Sequence, residues 1–354
     1  MTTEKPTIPV QFTGDAREYF GIFIVNLLLS IVTLGIYSAW AKVRNKKYFL
    51  GNTTIDGRPF DYHARGQDIL VGRVVVVAAF VLYTWLSSIS PAANGILAVL
   101  VLAVAPWLIN RGLRFNAAMT SWSNVRFRFD GNYWPAFRVF LLYPFLAIFT
   151  LYLALPFVMR ALIRYTVGRH RLGGHRFAFE SGIGPFYAAF AWTGLWAIGG
   201  LALAVGLVAI NGFAGRVLGS EATDGPFGSF GILVLFVAAI IAFVALFPLA
   251  TIYAAFIRNA RYAGTTLEGG HRFVSGVSAI RLVWISISNA VLTVVSLGML
   301  LPWARIRVAR YLCAHTWVQP VGSLDEFVSE AERRQTAIGD AFLDIEGIDV
   351  GAAV

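Results

Sequence analysis

Long apolar stretches alternate with short basic stretches along this chain. A helix needs about 20 apolar residues to cross a bilayer, so each stretch of that length is a candidate membrane segment. The pattern predicts an all-α polytopic membrane protein with about seven hydrophobic segments. The seven windows cover residues 20–40, 70–89, 92–110, 137–159, 184–210, 230–257 and 282–303.

The composition supports a membrane location. The 354 residues are 57% hydrophobic and only 14% charged, and the mean hydropathy is +0.67. A soluble domain carries about 25% charged residues, so this chain has too few to cover a water-facing surface. These values exclude a soluble enzyme and a disordered chain. The single cysteine, Cys313, also excludes an internal disulfide and a zinc site made of thiolates.

The net charge of +10 is unevenly distributed along the chain. Residues 320–354 contain eight acidic residues and two arginines, whereas the rest of the chain is strongly basic. Basic clusters beside apolar segments are typical of cytoplasmic loops that contact anionic lipids. We therefore expect lipid headgroups as partners and no nucleic acid. We also expect the basic loops and the tail to lie in the cytoplasm.

The basic loops conflict with seven straight spans. Cationic residues flank both ends of the fourth and seventh segments, so the positive-inside rule places both ends of each in the cytoplasm. Either the rule fails for some loops, or the first, fourth and seventh segments are re-entrant or broken helices. Pro144, Pro156, Gly298 and Pro302 are breakers of the kind that the second alternative needs. The sequence leaves both alternatives open.

The two ends of the hydrophobic region resemble each other. Residues 25–54 align without gaps on residues 288–317, with ten identical positions, which indicates an internal repeat. The predicted organisation is a polar N-terminal segment at 1–19, a transmembrane domain with internal repeats at 20–319, and an acidic cytoplasmic tail at 320–354.

Short polar stretches in the basic loops have the pattern of β-hairpins. Asp56-Gly57 lies between alternating polar and apolar residues, which is typical of a type I′ turn. The string Gly-Gly-His-Arg-Phe occurs at both 173–177 and 269–273. We expect small amphipathic hairpins that lie on the membrane surface.

Cations and aromatic residues recur where the apolar segments end. The shared pattern is Arg-x-x-Arg/Lys-aromatic, and its spacing places two cations on one helix face. Tryptophans at the same depth prefer the membrane interface. Plain interfacial anchoring and binding of a specific lipid headgroup both explain the pattern. The candidate residues are Trp40, Arg44, Lys47, Tyr48, Trp107, Arg111, Arg114, Arg164, Tyr165, Arg258, Arg261, Tyr262, Trp303, Arg307, Arg310 and Tyr311.

Asn26 and Asn289 occupy equivalent positions inside their apolar segments. Asparagine in a bilayer usually hydrogen-bonds another helix, so we expect the two to form an intramembrane polar pair. A polar lining for a permeation path is the alternative. The chain contains no P-loop, no Gly-x-Ser-x-Gly and no histidine spacing suited to a metal. We therefore expect no catalytic residues, no cofactor and no metal site.

Three function classes remain, of which a membrane-embedded enzyme is the least favoured, because no catalytic constellation in the sequence supports it. The lack of a central Asp, Glu or Lys in the apolar segments favours a non-catalytic scaffold that organises lipid or a partner. Internal repeats and broken helices favour a transporter or channel-like protein for a small solute or lipid, built around the repeat interface. The acidic tail begins with a capping box at Ser323–Glu326 and predicts an amphipathic helix that ends at Gly339. That helix could dock on the basic hairpins or on a protein partner.

Several strings resemble the YjgN family of bacterial inner-membrane proteins. They are Phe12-Thr-Gly14, Asn26-Leu-Leu-Leu, the run Thr-Leu-Gly-Ile-Tyr-Ser-Ala-Trp-Ala-Lys-Val-Arg at 33–44, and Asn52-Thr53. The resemblance extends over nearly the whole chain. It implies a multi-pass inner-membrane protein of uncharacterised function, and it supplies no catalytic residues. The sixth segment departs from the pattern, because its Trp and Pro are not in register with Arg258.

Overall fold

Short strands of this chain close into a barrel. The computed structural model describes residues 7–88, 90–217 and 226–346, and within them ten antiparallel strands are hydrogen-bonded in a ring. The prediction of an all-α fold with separate surface hairpins is therefore wrong. The strands are β1 Ile8–Phe12, β2 Thr53–Ile55, β3 Arg58–Tyr62, β4 Thr120–Trp122, β5 Val125–Phe129, β6 His170–Leu172, β7 His175–Phe179, β8 Thr265–Leu267, β9 His271–Ser275 and β10 Thr316–Gln319.

Helical segments, which we call excursions and number in chain order, connect β1 to β2, β3 to β4, β5 to β6, β7 to β8 and β9 to β10. They all leave the barrel at the same end, which we call the helix end. The same order of elements, strand, helical excursion and strand, recurs around the ring in the described part of the chain. A π-helical turn at Arg138–Leu142 lies between the helices Tyr133–Phe137 and Tyr143–Phe149. The helices are α1 Ala16–Val32, α2 Ser38–Gly51, α3 Gly66–Ser87, α4 Pro91–Ala118, α5 Tyr133–Phe137, α6 Tyr143–Phe149, α7 Leu155–Gly168, α8 Gly184–Val217, α9 Pro226–Leu246, α10 Leu249–Ala263, α11 Ala279–Val295, α12 Leu301–Ala314 and α13 Leu324–Glu346.

Tight turns join the strands at the opposite end, the turn end. Asp56 and Gly57 link β2 to β3 with φ angles of 54° and 72°, the left-handed pair that a type I′ turn requires. The ring closes where β1 pairs with both β10 and β2, for example through Ile8 opposite Val318 and Val10 opposite Ile55. Strands from the two ends of the chain thus lie side by side.

Aromatic side chains fill the barrel. Every second strand residue faces inward, and the middle inward positions of β3, β5, β7 and β9 hold Phe60, Phe127, Phe177 and Phe273. Their ring centroids are 6.4, 6.3 and 6.1 Å apart in order around the barrel. The lumen retains a cavity of only about 70 Å³. The barrel interior is therefore a packed core.

The tail helix α13 covers the turn end. Its apolar residues Leu324, Phe327, Val328 and Ala331 are buried against the barrel residues Trp122, Val125, Leu172 and Leu267. The Arg58 guanidinium pairs with Asp325 at the start of the helix. The helix continues through Gly339 to Glu346, so the predicted end at Gly339 is wrong. Residues 1–6 of the predicted N-terminal segment and 347–354 of the predicted tail lie outside the described residues.

A glycine allows the tail to approach closely. Gly173, in the β6–β7 turn, has a φ of +53°, and a Cβ there would lie 2.6 Å from the Ala331 methyl group. A larger residue would therefore be strained by its backbone and would also push α13 away from the barrel.

The apolar segments divide into two kinds. Among the described residues, four helical stretches are long and apolar enough to cross a membrane: Gly66–Ser87, Ala92–Ala118, Gly184–Phe213 and Gly231–Ala263, the last of which runs through α9 and α10. The predicted count of seven segments is wrong, because the windows at 20–40, 137–159 and 282–303 each contain a turn. They fold as short helical hairpins whose two ends both join the barrel.

The turn of each short hairpin has left-handed backbone. In the first hairpin Leu34 and Gly35 have φ of 50° and 88°, and in the last Leu297 and Gly298 have 52° and 88°. Leu151 and Tyr152 form the corresponding turn of the third excursion. The tip leucines are 94%, 93% and 84% exposed for Leu34, Leu297 and Leu151. The most exposed end of each hairpin is therefore apolar.

Side-chain hydroxyls complete the hydrogen bonding of these turns. Thr33 accepts a hydrogen bond from the Tyr37 N–H at 2.9 Å. Thr150 and Ser296 accept equivalent bonds from the N–H groups of the residues four positions later, at 3.1 and 3.0 Å. The backbone N–H groups across each tip are therefore bonded within the protein.

Candidate functional site

The predicted cations and aromatic residues lie where the helices meet the barrel. They belong to the helices that return to the helix end of the barrel, namely α2, α4, α7, α10 and α12. We call this set the basic belt: Trp40, Arg44, Lys47, Tyr48, Trp107, Arg111, Arg114, Arg164, Tyr165, Arg258, Arg261, Tyr262, Trp303, Arg307, Arg310 and Tyr311.

Tyrosines of the basic belt bind the start of their own hairpin. The Tyr48 hydroxyl accepts a hydrogen bond from the Asp15 N–H at 2.9 Å. Tyr311 does the same with the Ser278 N–H at 3.0 Å. Tyr165 donates to the Asn110 side chain at 2.6 Å and is 3.1 Å from the Asn132 carbonyl oxygen. Tyr48 and Tyr311 thus hold the two arms of their own hairpin together. Tyr165 also joins its hairpin to α4 through Asn110.

Some belt arginines join neighbouring excursions. Arg310 of the last hairpin donates to the Gly14 carbonyl at 3.1 Å, just before the first hairpin begins. Arg114 makes the corresponding bond to the Gly131 carbonyl. Arg258 donates to the Thr316 hydroxyl at 2.9 Å. These three guanidiniums therefore connect adjacent parts of the ring.

The belt tryptophans contact cations or backbone. The guanidinium of Arg111 lies 5.3 Å from the ring centre of Trp107, and that of Arg307 lies 5.2 Å from Trp303. Trp40 packs over Gly66, where a Cβ would lie 2.4 Å from the indole ring. A cation over an aromatic face is attracted by the ring electrons, so these pairs fix the cations at the belt.

A third group of belt residues faces outward. Arg44, Lys47, Arg111, Arg164 and Arg261 are exposed, and in the described part of the chain none of them has a hydrogen-bond or ion-pair partner. Their positive charge is available to an anionic surface outside the protein.

The two asparagines at equivalent positions of the repeat, Asn26 and Asn289, lie in separate hairpins. Asn26 donates to the Asn45 side chain at 3.2 Å. Asn289 donates to the Ala304 carbonyl at 3.2 Å and accepts from Arg307 at 3.2 Å. Each residue makes these bonds inside its own hairpin, and the structure brings neither to the other by a hydrogen bond among the residues it describes.

The third excursion contains a cavity with several arginines. It measures about 340 Å³ and is lined by Arg138, Arg160, Arg164 and Arg169 together with Tyr143. Of these, the sequence pattern pointed only to Arg164. Because Arg138 precedes the hairpin tip and the others follow it, a pattern confined to one segment could not reveal the cluster. A position-by-position comparison of the hairpins could have found it.

Two buried histidines hold the tail. The rings of His175 and His271 lie 4.7 and 4.8 Å from the ring of Phe327. His271 accepts a hydrogen bond from the Val321 N–H at 3.2 Å. Both ring nitrogens of His175 are buried without a partner among the described atoms. Burial lowers the pKa of both histidines from the usual 6.5, and nearby Arg334 lowers that of His175 further.

We expect tail docking to weaken in acid. Glu268, Glu330 and Arg334 also face His175, and the two acids only partly offset its burial. The docked tail disfavours the protonated form of His175, and release of the tail relieves the burial that lowers its pKa from the usual 6.5. Docking is therefore most stable above pH 6.5 and weakens as the pH falls below that value towards the lowered pKa. The mobility of a spin label at exposed Ser329, measured between pH 8 and 5.5, tests this.

His175→Leu provides the control for this titration. The variant has no group to protonate at that position, so the spin label should respond much less to acid. An undiminished response would assign the effect to another group and contradict the prediction.

Comparisons with known proteins identify relatives of this chain. Residues 7–345 match a family model described as a bacterial protein of unknown function, DUF898. The chain is 27% identical to the inner membrane protein YjgN of Salmonella typhimurium over 89% of its own length and 88% of the relative. It is 34% identical to YjgN of Escherichia coli K12 over 38% of its own length and 35% of that relative. No solved structure matches the chain.

Proposed function

The chain belongs to the DUF898 family, and we propose that it is a non-catalytic inner-membrane scaffold that organises anionic lipids around its barrel. The resemblance to YjgN proteins is confirmed, and those relatives are named inner membrane proteins. Their names give no activity, so the scaffold role rests on the physical features of this chain.

The observation that carries the proposal is the outward group of the basic belt. These cations lie where helices return from the apolar excursions to the barrel, which is the level of lipid phosphates when the apolar parts are in hydrocarbon. A juxtamembrane Lys or Arg near an anionic surface contributes about 1 kcal/mol to the attraction. Arg44, Lys47, Arg111, Arg164 and Arg261 together therefore favour anionic over neutral lipid.

The proposal includes a membrane topology. The long helices cross the bilayer as hairpins, and the short hairpins enter it from the barrel side and return. In this topology the protein is multi-pass, and its helical excursions are internal repeats of one another. By the positive-inside rule the barrel, the basic loops and the tail lie in the cytoplasm.

The packed barrel weighs against the transporter alternative. A path for a solute needs space for that solute along its whole length. The phenylalanine ring fills the lumen, and α13 covers its turn end.

Removing the outward charge should reduce bound anionic lipid. We expect the triple variant Arg44→Gln, Arg111→Gln, Arg261→Gln to retain at most about half of the anionic phospholipid that the native protein keeps through detergent purification. The reason is the loss of three charges worth about 1 kcal/mol each at the headgroup level. Quantitative lipid mass spectrometry of the purified protein measures it.

The matched control removes the same charge elsewhere. Arg126, Arg176 and Arg272 are exposed on the outer wall of the barrel strands, and replacing all three with glutamine leaves the basic belt intact. If both triple variants keep the same lipid as the native protein, the scaffold proposal fails.

A further inference from the structure

We propose that the arginine cavity of the third excursion is a specific site for a lipid headgroup that carries two phosphates. The inference rests on the proposed function, and it deepens it by naming one site and one ligand chemistry. The cavity of about 340 Å³ lies within the range of small-ligand sites, which begins near 300 Å³.

The charge of the cavity requires an anion. Four guanidiniums line it, and none of the lining residues is acidic. Among the described residues, Arg138, Arg160, Arg164 and Arg169 form no salt bridge. A cleft lined by charge of one sign attracts ligands of the opposite sign. Each phosphate can accept paired hydrogen bonds from arginine, so four arginines match two phosphates better than one.

The cavity depends on residues that the corresponding hairpins lack. Counted from the residue that caps each outgoing helix, Arg138 corresponds to Gly21 in the first hairpin and Trp284 in the last. Counted back from the belt tyrosine, Arg160 corresponds to Val43 and to the buried Ile306.

The remaining two positions complete the contrast. Arg164 corresponds to Lys47 and Arg310, so this position is cationic in all three hairpins. Arg169 corresponds to Asn52 and His315. Three of the four cations are thus found only in the short hairpin of the third excursion, and not in the first or last short hairpin. Anchoring alone does not require such a difference.

The backbone also departs from the other hairpins at this place. The π-helical turn Arg138–Leu142 begins at a cavity arginine, whereas α1 and α11 are regular helices in the corresponding region. Such turns are frequent at functional sites. The irregular turn supplies Arg138, Val139 and the following Tyr143 to the wall of the cavity.

Arg160 is held in an orientation suited to binding. Its Nε donates to the Ser181 carbonyl at 2.8 Å, which fixes the guanidinium plane and leaves its terminal N–H groups for a ligand. The residue lies seven positions after Leu153 of the tip, or about 10 Å along the helix. A cation at that depth is costly without a counter-charge, and a lipid phosphate drawn into the cavity supplies one.

The test measures lipid binding to the purified full-length protein by native mass spectrometry. The probes are cardiolipin, which has two phosphates and four acyl chains, phosphatidylglycerol, which has one phosphate, and inorganic pyrophosphate. We expect cardiolipin to bind at least ten times more tightly than phosphatidylglycerol. We expect Arg160→Ile, which installs the residue of the last hairpin, to abolish that difference. Arg160→Lys should restore part of it, because the charge returns without the paired geometry.

Arg126→Gln, on the outer barrel wall, is the matched control and should leave the cardiolipin preference unchanged. Equal binding of the two lipids by the native protein would overturn the proposal. So would an unaltered preference in both Arg160→Ile and Arg138→Gln. Tighter binding of pyrophosphate than of cardiolipin would replace the lipid with a free phosphate ligand. Loss of lipid in the belt triple variant, with no effect of the cavity variants, would leave the scaffold role standing without this site.

Discussion

Phe327→Ala is expected to release the tail helix α13 from the barrel. Phe327 is 8% exposed and lies between the rings of His175 and His271 in the cluster that closes the turn end. Truncating a buried phenylalanine to alanine costs about 3–5 kcal/mol. A loss of about 3 kcal/mol raises the released population about 100-fold, since each 1.4 kcal/mol is a factor of ten.

Hydrogen exchange of the peptide 324–336, followed by mass spectrometry, measures this release. The exchange rate of the segment reports the population of the open form. Glu326→Ala alters an exposed residue of the same helix and should leave the rate within about twofold of the native value, because surface substitutions usually change stability by less than 0.5 kcal/mol. Equal exchange in Phe327→Ala and Glu326→Ala would show that the tail is held by other contacts.

Local features of the fold could be predicted from the sequence. The Asp56-Gly57 turn has positive φ at two successive residues. Asp-Gly is a preferred pair for such a turn, so the two residue types predict it. The capping residues at Ser323 and the apolar spacing of Leu324, Phe327 and Val328 similarly indicate the start and buried face of α13. Such features depend on neighbours a few residues apart, which the sequence displays.

The barrel could not be predicted in the same way. Its strands have three to five residues, and Tyr62 pairs with Thr120 across two long helices. The pair Ile8 and Val318 closes the ring from opposite ends of the chain. No single hairpin shows a periodicity long enough to reveal such partners. The flanking charges and Gly298 left a broken first and seventh segment open, but only the folded chain places their turns at Leu34 and Leu297.

In the candidate site, too, the positions of the cations could be predicted from local spacing, whereas their distant partners could not. The spacing of Arg307 and Arg310 places both on one face of α12, but only the folded chain shows that Arg310 binds the Gly14 carbonyl. Lys46, which the pattern omitted, donates to Asn116 at 2.6 Å and lies 4.6 Å from the ring centre of Tyr62. The charge pattern thus located the belt, and the partners of each cation required the tertiary structure.

A charge at a hairpin tip is expected to expel the last short hairpin from the bilayer. Leu297 is 93% exposed in an apolar turn, and Ser296 satisfies the backbone there by binding the Leu300 N–H. An aspartate near the bilayer centre costs about 2.5–3.5 kcal/mol. The substitution Leu297→Asp should therefore shift the hairpin towards water by about 100-fold, since each 1.4 kcal/mol is a factor of ten.

Thiol labelling in intact cells and in inside-out membrane vesicles, which present the outer and the cytoplasmic face respectively, measures this shift and tests the topology. In a Cys313→Ser background, a reporter Met299→Cys beside the native tip should react with a membrane-impermeant maleimide from neither side of the membrane. Adding Leu297→Asp should expose the reporter to the cytoplasmic side. Val321→Asp, which charges an exposed apolar residue near the turn end of the barrel, should leave the reporter protected. Labelling of the native-tip reporter from outside would mean that the segment crosses the membrane, because only a straight span carries residue 299 through to that face.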